Sequence, residues 1–123
     1  MSENSARCKS YPDRLKSFEK LSANLSSASP PVMKAFWQLH TASMASGALD
    51  AKTKELIALA ISVATHCDDC IAHHTNDALE AGATAEEITD ALAVAVLMGG
   101  GTSVVYACHA IEALEQFSEG PEQ

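Results

Sequence analysis

Residues 66 to 74, H-C-D-D-C-I-A-H-H, bring two cysteines and three histidines together in nine positions. Two cysteines separated by two residues can close a disulfide, hold a metal ion or pack inertly in a core. Cys67 and Cys70 fall at the predicted start of a helix, where partial positive charge and free N–H groups stabilise a thiolate. The position of the pair therefore suits thiol–disulfide chemistry.

A histidine and a glutamate are the candidates to support the sulfurs. His74 follows Cys70 by one helical turn and Cys67 by two turns, which keeps all three side chains on one helix face. His73 is expected to turn away from that face. If the two central helices form an antiparallel hairpin, Glu55 on the first arm lies near His74 on the second. A carboxylate can orient the imidazole, and the imidazole can remove a thiol proton.

A zinc site is the alternative for the same residues. Zinc takes four ligands in a structural site, and the two cysteines, His73 or His74, and Glu55 could supply them. The chain has no second C-x-x-C and no H-x-x-x-H. We therefore favour a redox pair and assign no metal and no cofactor.

The remaining cysteines and histidines are weaker candidates. We expect Cys108 to pack as a small apolar residue and Cys8 to lie in an N-terminal tail without a role. His40 and His109 are interpreted as polar core or interface residues. His66 is close enough in sequence to tune the pKa of the neighbouring thiol.

The elements that must position these side chains are predicted to be helices. Helix-forming residues dominate the long segments, and aromatic residues make up 5% of the chain. Apolar spacing, helix caps and glycine breaks predict six helices: Tyr11–Leu25, Pro30–Ser46, Ala51–Thr65, Cys67–Ala81, Ala85–Met98 and Thr102–Phe117. We predict an all-α, single-domain helical bundle over residues 11–117, with tails at 1–10 and 118–123 and a central hairpin that carries the C-x-x-C motif.

Composition excludes several classes of partner. The formal net charge is -8 and no basic run is present, so we expect no nucleic-acid partner. The N-terminus lacks the apolar region of a signal peptide, and every apolar run is far shorter than the roughly 20 residues that cross a bilayer. We expect a cytoplasmic protein that binds no membrane. Structural disulfides are rare in that compartment, which favours a redox-active pair.

Two predicted helical segments, Leu56–Ala64 and Ile88–Met98, are apolar on almost every side. A chain of 123 residues has few elements with which to cover them both. We therefore expect these faces to be buried against other subunits of a homo-oligomer.

The central segment resembles the carboxymuconolactone decarboxylase / alkyl hydroperoxidase D-like family. The resemblance covers Leu49–Leu114 and is best in K-E-L-I-A-L-A-I-S-V-A-T-H-C-D-D-C-I-A-H-H-T and the following A-L-E-A-G-A-T-A-E-E-I. The catalytic pattern of this family is a glutamate, eleven residues, C-x-x-C, three residues and a histidine. Every spacing is met here, by Glu55, Cys67, Cys70 and His74.

The resemblance implies an alkyl hydroperoxidase D-like fold, assembly into trimers or hexamers, and hydroperoxide reduction by the cysteine pair. Electrons would come from a dithiol such as a lipoylated protein. Some hydroperoxidases of the family carry a histidine between the cysteines, where this chain has Asp69; an acid facing the sulfurs would disfavour a thiolate. The lactone decarboxylases of the family lack the cysteine pair, which argues against that activity.

The function predicted from the sequence is a thiol-dependent hydroperoxide reductase, an oxidoreductase in which Cys70 attacks the peroxide and Cys67 resolves the product. Two alternatives stay open. One is a decarboxylase-type acid–base enzyme in which Glu55 and His74 act without the cysteines. The other is a non-catalytic oligomeric redox sensor.

Overall fold

The computed structural model describes residues 9–119, and within that range the chain forms six α-helices and no strand. In chain order they are α1 (Tyr11–Ala28), α2 (Pro30–Met44), α3 (Ala51–Ala64), α4 (Asp68–Glu80), α5 (Ala85–Gly99) and α6 (Gly101–Glu119). The predicted all-α bundle is confirmed. Most of both predicted tails, with Cys8, lies outside the described residues, while 118 and 119 continue α6. No helix in residues 9–119 is long and apolar enough to cross a membrane.

Local capping explains where several helices begin. The Ser10 hydroxyl accepts the amide N–H of Asp13 at the start of α1. The Asp50 carboxylate caps α3 in the same way. Thr84 and Glu87 form the predicted capping box of α5, with both reciprocal hydrogen bonds present. These bonds satisfy N–H groups that a helix leaves unpaired in its first turn.

The core lies where the hairpin of α3 and α4 meets α5 and α6. α3 packs on α4 and α5, α6 packs on α4 and α5, and α1 lies across α4 and α6. The buried apolar side chains come from these central helices and include Leu59, Val63, Ile71, Ile88, Leu92 and Ala113. The predicted central hairpin is thus packed against α5, α6 and α1. α2 lies at the periphery, in contact mainly with α1.

Three predicted buried positions are exposed. The spacing of Leu15, Phe18, Leu21 and Leu25 predicts a buried stripe along α1, yet Leu21 and Leu25 are exposed. Burial falls off along this helix, since Tyr11 at its start is buried and Leu15 is half-buried. Cys108 was expected to pack inside α6, but its thiol is free and exposed.

Large apolar faces remain open on a single chain. Leu97 and Met98 of α5 are 79% and 76% exposed, and Ile61 of α3 is 57% exposed. Val94, Val104 and Val105 are also exposed. One face of α3 and of α5 is therefore buried in the core, while the opposite face has no cover from residues 9–119.

The glycine run between α5 and α6 acts as a helix break. Gly100 has a φ of +74°, in the region that favours glycine, and ends α5. A β-carbon on Gly99 would overlap the side chain of Ser103 in the next helix. The run therefore allows α6 to turn back closely against α5.

The capping box yields a test of local stability. Thr84→Ala removes the hydroxyl that accepts the Glu87 amide N–H at 3.0 Å, and we expect a loss of about 1 kcal/mol in the free energy of unfolding. Thr89→Ala is the matched control, because Thr89 is an exposed threonine within the same helix and alanine is the better helix former there. Urea denaturation followed by circular dichroism at one protein concentration measures both. Equal effects of the two substitutions would contradict the capping role.

Candidate functional site

The central hairpin joins Glu55 of α3 to His74 of α4. The Glu55 carboxylate accepts a hydrogen bond from Nδ1 of His74 at 2.8 Å, and Glu55 is only 7% exposed. A buried carboxylate is costly unless it is paired, and His74 supplies the partner. With Nδ1 engaged, Nε2 of His74 is the nitrogen left to exchange a proton.

The turn between α3 and α4 presents the two cysteines. His66 adopts a left-handed conformation with φ of 60°, and Cys67 then caps α4. The Cys67 Sγ accepts the amide N–H of Cys70 at 3.2 Å. Cys67 and Cys70 form a disulfide, so the structure shows the pair in its oxidised form. The cap places Cys67 against the positive end of the helix, where a thiolate would also be stabilised after reduction.

Cys67, Cys70 and His74 border one cavity of about 260 Å³. Its wall comes from α1, α2 and α4: Phe18, Phe36, Trp37, His40, Cys67, Asp69, Cys70, His73 and His74. Aromatic rings supply much of this wall, and electrostatic interactions are stronger where such surfaces exclude water. Glu55 does not border the cavity but is hydrogen-bonded to His74, which does. The structure thus brings together all four residues singled out from the sequence.

The cavity includes two histidines that the sequence prediction did not assign to it. His73 was expected to turn away, but it borders the same cavity as the cysteines, and its ring stacks on His74 at 4.7 Å between centroids. His40 also borders the cavity, and its ring lies 5.7 Å from that of His73. The spacing of Trp37 and His40 on one face of α2 was a signal for a shared surface, but it did not indicate which surface.

The two acidic residues between the cysteines contact side chains of other helices. Asp69 lies 3.4 Å from Arg14 of α1. Oδ1 of Asp68 accepts hydrogen bonds from the Tyr11 hydroxyl at 2.8 Å and from Nδ1 of His109 at 2.9 Å. Burial, and next the bond to Asp68, raise the pKa of Tyr11 well above its ordinary value. Tyr11 therefore remains a hydrogen-bond donor, and α1 and α6 hold the first turn of α4.

His73 and Asp77, one helical turn apart on α4, form a second histidine–carboxylate pair. Nε2 of His73 is 2.9 Å from Oδ2 of Asp77. The hydrogen bond to Asp77 raises the pKa of His73 above its ordinary value, although burial opposes it. Burial acts to raise the pKa of Asp77, but the bond and charge of His73 lower it below its ordinary value. Each shift in pKa thus favours the charged form of its own residue.

His66 does not join this site. Its exposed ring stacks on Tyr106 of α6 at 4.8 Å between centroids, and it is absent from the cavity wall. His109 likewise lies outside the cavity, where its ring is hydrogen-bonded to Asp68.

The cavity combines a disulfide, an imidazole oriented by a buried carboxylate, and apolar surface. This combination suits proton transfer to and from sulfur.

Comparison with known proteins relates the chain to proteins of the same size. The sequence model of the carboxymuconolactone decarboxylase family matches residues 30–113. An uncharacterised protein of Cupriavidus necator is 40% identical over 98 residues, which are 80% of this chain and 87% of the relative. An uncharacterised protein of the cox locus of Paracoccus denitrificans is 39% identical over 103 residues, 81% of this chain and 93% of that protein.

Two crystal structures share the fold. A carboxymuconolactone decarboxylase family protein of Legionella pneumophila is 42% identical with a TM-score of 0.85, and the match covers 88% of this chain and 96% of that one. A family protein of Thermotoga maritima, described as a candidate for the antioxidative response, is 34% identical with a TM-score of 0.77 over 86% of this chain and 90% of that one. From the site motif, the matched segment and the shared fold, we conclude that the chain belongs to the carboxymuconolactone decarboxylase family.

Proposed function

We propose that the protein is a thiol-dependent hydroperoxide reductase in which Cys67 and Cys70 are the redox pair. The observation that carries the proposal is the Glu55–His74 hydrogen bond of 2.8 Å, with His74 in the wall of the cavity that the disulfide borders. Glu55 is a positioning residue that orients the imidazole. The candidate antioxidative role of the Thermotoga maritima relative agrees with this chemistry.

The first step oxidises Cys70. Nε2 of His74 takes the thiol proton, and the Cys70 thiolate attacks the terminal peroxide oxygen, forming an S–O bond as the O–O bond breaks. The alkoxide that leaves takes the proton from the imidazolium and departs as an alcohol. Cys70 lies one helical turn before His74 on α4, which makes it the thiol that the imidazole serves.

The second step closes the disulfide. The Cys67 thiolate attacks the sulfenic sulfur of Cys70, the S–S bond forms, and hydroxide leaves and is protonated to water. The Cys70 amide N–H that bonds the Cys67 sulfur at 3.2 Å stabilises this attacking thiolate. Arg14 beside Asp69 offsets part of the negative charge that the extra acid brings to the site.

The third step restores the thiols. One thiolate of an external dithiol attacks the Cys67 sulfur, Cys70 leaves and is protonated, and the second thiol of the reductant closes its own disulfide and releases Cys67. Two electrons pass from the reductant to the pair. We propose a lipoylated protein as the reductant, since its dithiol on a flexible arm can enter the cavity. A reducing compartment such as the cytoplasm suits this cycle.

We also propose that the protein is a homo-oligomer. The exposed apolar residues of α3, α5 and the start of α6 form one set that a single chain leaves open, among them Ile61, Leu97 and Met98. Contiguous apolar faces of this kind are typical of subunit interfaces. Trimers and hexamers are the assemblies that the sequence resemblance implies.

Thiol counting tests the redox pair. In a Cys8→Ser/Cys108→Ser background, we expect one equivalent of alkyl hydroperoxide to remove two thiols per chain and dihydrolipoamide to restore them, because only the pair is oxidised. Adding Cys67→Ser should trap sulfenic acid at Cys70, as detected by mass spectrometry after a sulfenic-acid probe. Sulfenic acid that forms at Cys67 in a Cys70→Ser variant, and never at Cys70, would reverse the assigned order.

The proton relay is tested by removing its charge. Glu55→Gln keeps the size of the side chain, and we expect the rate of peroxide-driven thiol loss to fall roughly 10²-fold or more; His74→Gln should act at least as strongly. Glu86→Gln is the matched control, since Glu86 is exposed on α5. Stopped-flow kinetics with circular dichroism of each variant separates lost catalysis from lost structure. An unchanged rate in Glu55→Gln would remove the relay from the mechanism.

Two further measurements separate the alternative functions. Turnover of a small lactone acid that survives Cys67→Ser/Cys70→Ser would favour the decarboxylase-type enzyme. Peroxide consumption no faster than that of free cysteine, with a dithiol supplied, would favour a redox sensor.

The oligomer is tested by charge placed on the exposed face. We expect the wild-type protein to run as a multiple of the chain mass in light scattering, and Leu97→Asp to dissociate it, since burial of a carboxylate at an interface is costly. Leu21→Asp is the control, because Leu21 is exposed to a similar degree on α1. A monomeric wild-type protein would refute the proposal, and dissociation by Leu21→Asp alone would place the interface elsewhere.

A further inference from the structure

A cluster of ligand-type atoms lies on α4 beside the redox pair. One ring nitrogen from each of His73 and His74 and a carboxylate oxygen of Asp77 lie within 4.8 Å of one another. Two imidazoles and one carboxylate form a donor set that binds zinc and similar divalent transition metals. Neither the proposed peroxidase cycle nor the family motif uses His73 or Asp77.

The spacing of the cluster suits a small ion. Nε2 of His73 and Oδ2 of Asp77 are already 2.9 Å apart. Zinc bonds of about 2.0–2.2 Å hold tetrahedral ligand atoms roughly 3.4 Å apart. The three ligand atoms of the cluster lie within 4.8 Å of one another, so side-chain shifts on the order of 1 Å would bring them to that separation. All three residues are half-buried and lie within α4. The helix backbone therefore holds their relative positions.

The surroundings supply what a metal ligand needs. Glu55 holds Nδ1 of His74 at 2.8 Å and leaves Nε2 for the ion; a carboxylate behind a ligating histidine fixes its tautomer and raises its basicity. A neighbouring cavity of about 300 Å³ is bordered by His73, Asp77 and Glu19. This cavity gives an ion a route from solvent past an additional carboxylate.

One buried nitrogen near the cluster lacks a hydrogen-bond partner. Nε2 of His40 is buried and has no hydrogen-bond partner among the residues that the structure describes. Its ring lies 5.7 Å from the ring of His73, a separation that a metal-bound water can span. Buried polar atoms without a partner are rare and call for a water or an ion.

The geometry points to a divalent transition-metal site formed by His73, His74 and Asp77, with a water as the fourth ligand. Zinc is the metal that this set of two nitrogens and one oxygen fits best. Binding itself does not require the proposed peroxidase function. If that function also holds, an ion on Nε2 of His74 withdraws the imidazole from the proton relay.

Cobalt titration of the oxidised protein in the Cys8→Ser/Cys108→Ser background tests the site, because neither the disulfide nor the two substituted positions have a thiolate to bind the ion. We expect visible Co²⁺ absorption of tetrahedral intensity that saturates at one ion per chain and is lost on addition of Zn²⁺. Trp37 is the only tryptophan of the chain, and its ring lies 5.5 Å from that of His40. Its fluorescence should therefore fall as Co²⁺ binds.

Three variants separate this site from unspecific binding. Asp77→Asn and His73→Gln should each weaken Co²⁺ affinity by more than about 10-fold. Removing a group that only hydrogen-bonds to a metal ligand already costs roughly 10-fold or more in affinity. His109→Gln is the matched control, since His109 forms an equivalent 2.9 Å pair with Asp68 without a second histidine. Circular dichroism checks that each variant is folded.

The outcomes decide the assignment. One saturable ion per chain, weakened by Asp77→Asn and His73→Gln but not by His109→Gln, supports the site. The absence of saturable binding, or binding that survives both substitutions, overturns it. These measurements involve no turnover, so a failed peroxidase assay would leave their result unaffected.

Discussion

The buried carboxylate of Glu55 is the constraint around which the centre of this protein is built. It lies within the apolar hairpin with 7% exposure, where an unpaired charge would be strongly destabilising. His74 supplies its partner from the opposite arm. Because each residue along a helix turns the side chain by about 100°, a shift of one position would separate the two groups. The pairing therefore fixes the register of α3 against α4, and with it the position of the turn that carries the cysteines.

The turn is held from outside as well as by the hairpin. Asp68 follows Cys67 and binds both Tyr11 of α1 and His109 of α6 through one carboxylate oxygen. Cys67 caps the helix with its own sulfur. Side chains at the first turn of α4 are thus tied to two other helices, α1 and α6, which restricts the motion of the disulfide relative to His74. A redox pair gains from this arrangement, since fixed geometry lowers the entropic cost of bringing the reacting groups together.

The periphery divides between covered and open surfaces. α1 and α2 close one side of α4 with aromatic rings and form the cavity wall around the sulfurs. Apolar faces of α3 and α5 are left open. The proposed chemistry thus falls at the cavity, and the proposed subunit interface falls on the faces of α3 and α5.

Local signals made the helices and the core of the site predictable. The caps at Asp50 and Thr84 and the glycine break act within a few residues, and the structure confirms them. The Glu55–His74 contact was also predictable, because a short turn between two helices leaves one antiparallel register in which both can be buried. The catalytic role of the four motif residues stays a prediction.

The tertiary structure alone decided what surrounds the sulfurs. His73 and His40 reach the cavity, Leu21 extends beyond the core, and Cys108 faces outward. Each of these depends on where α1 and α2 lie over α4, or on how α6 rotates about its axis. Helical phase shows which residues share a face, but it does not show which element covers that face. That is settled by packing among helices distant in sequence, where many small contacts compete.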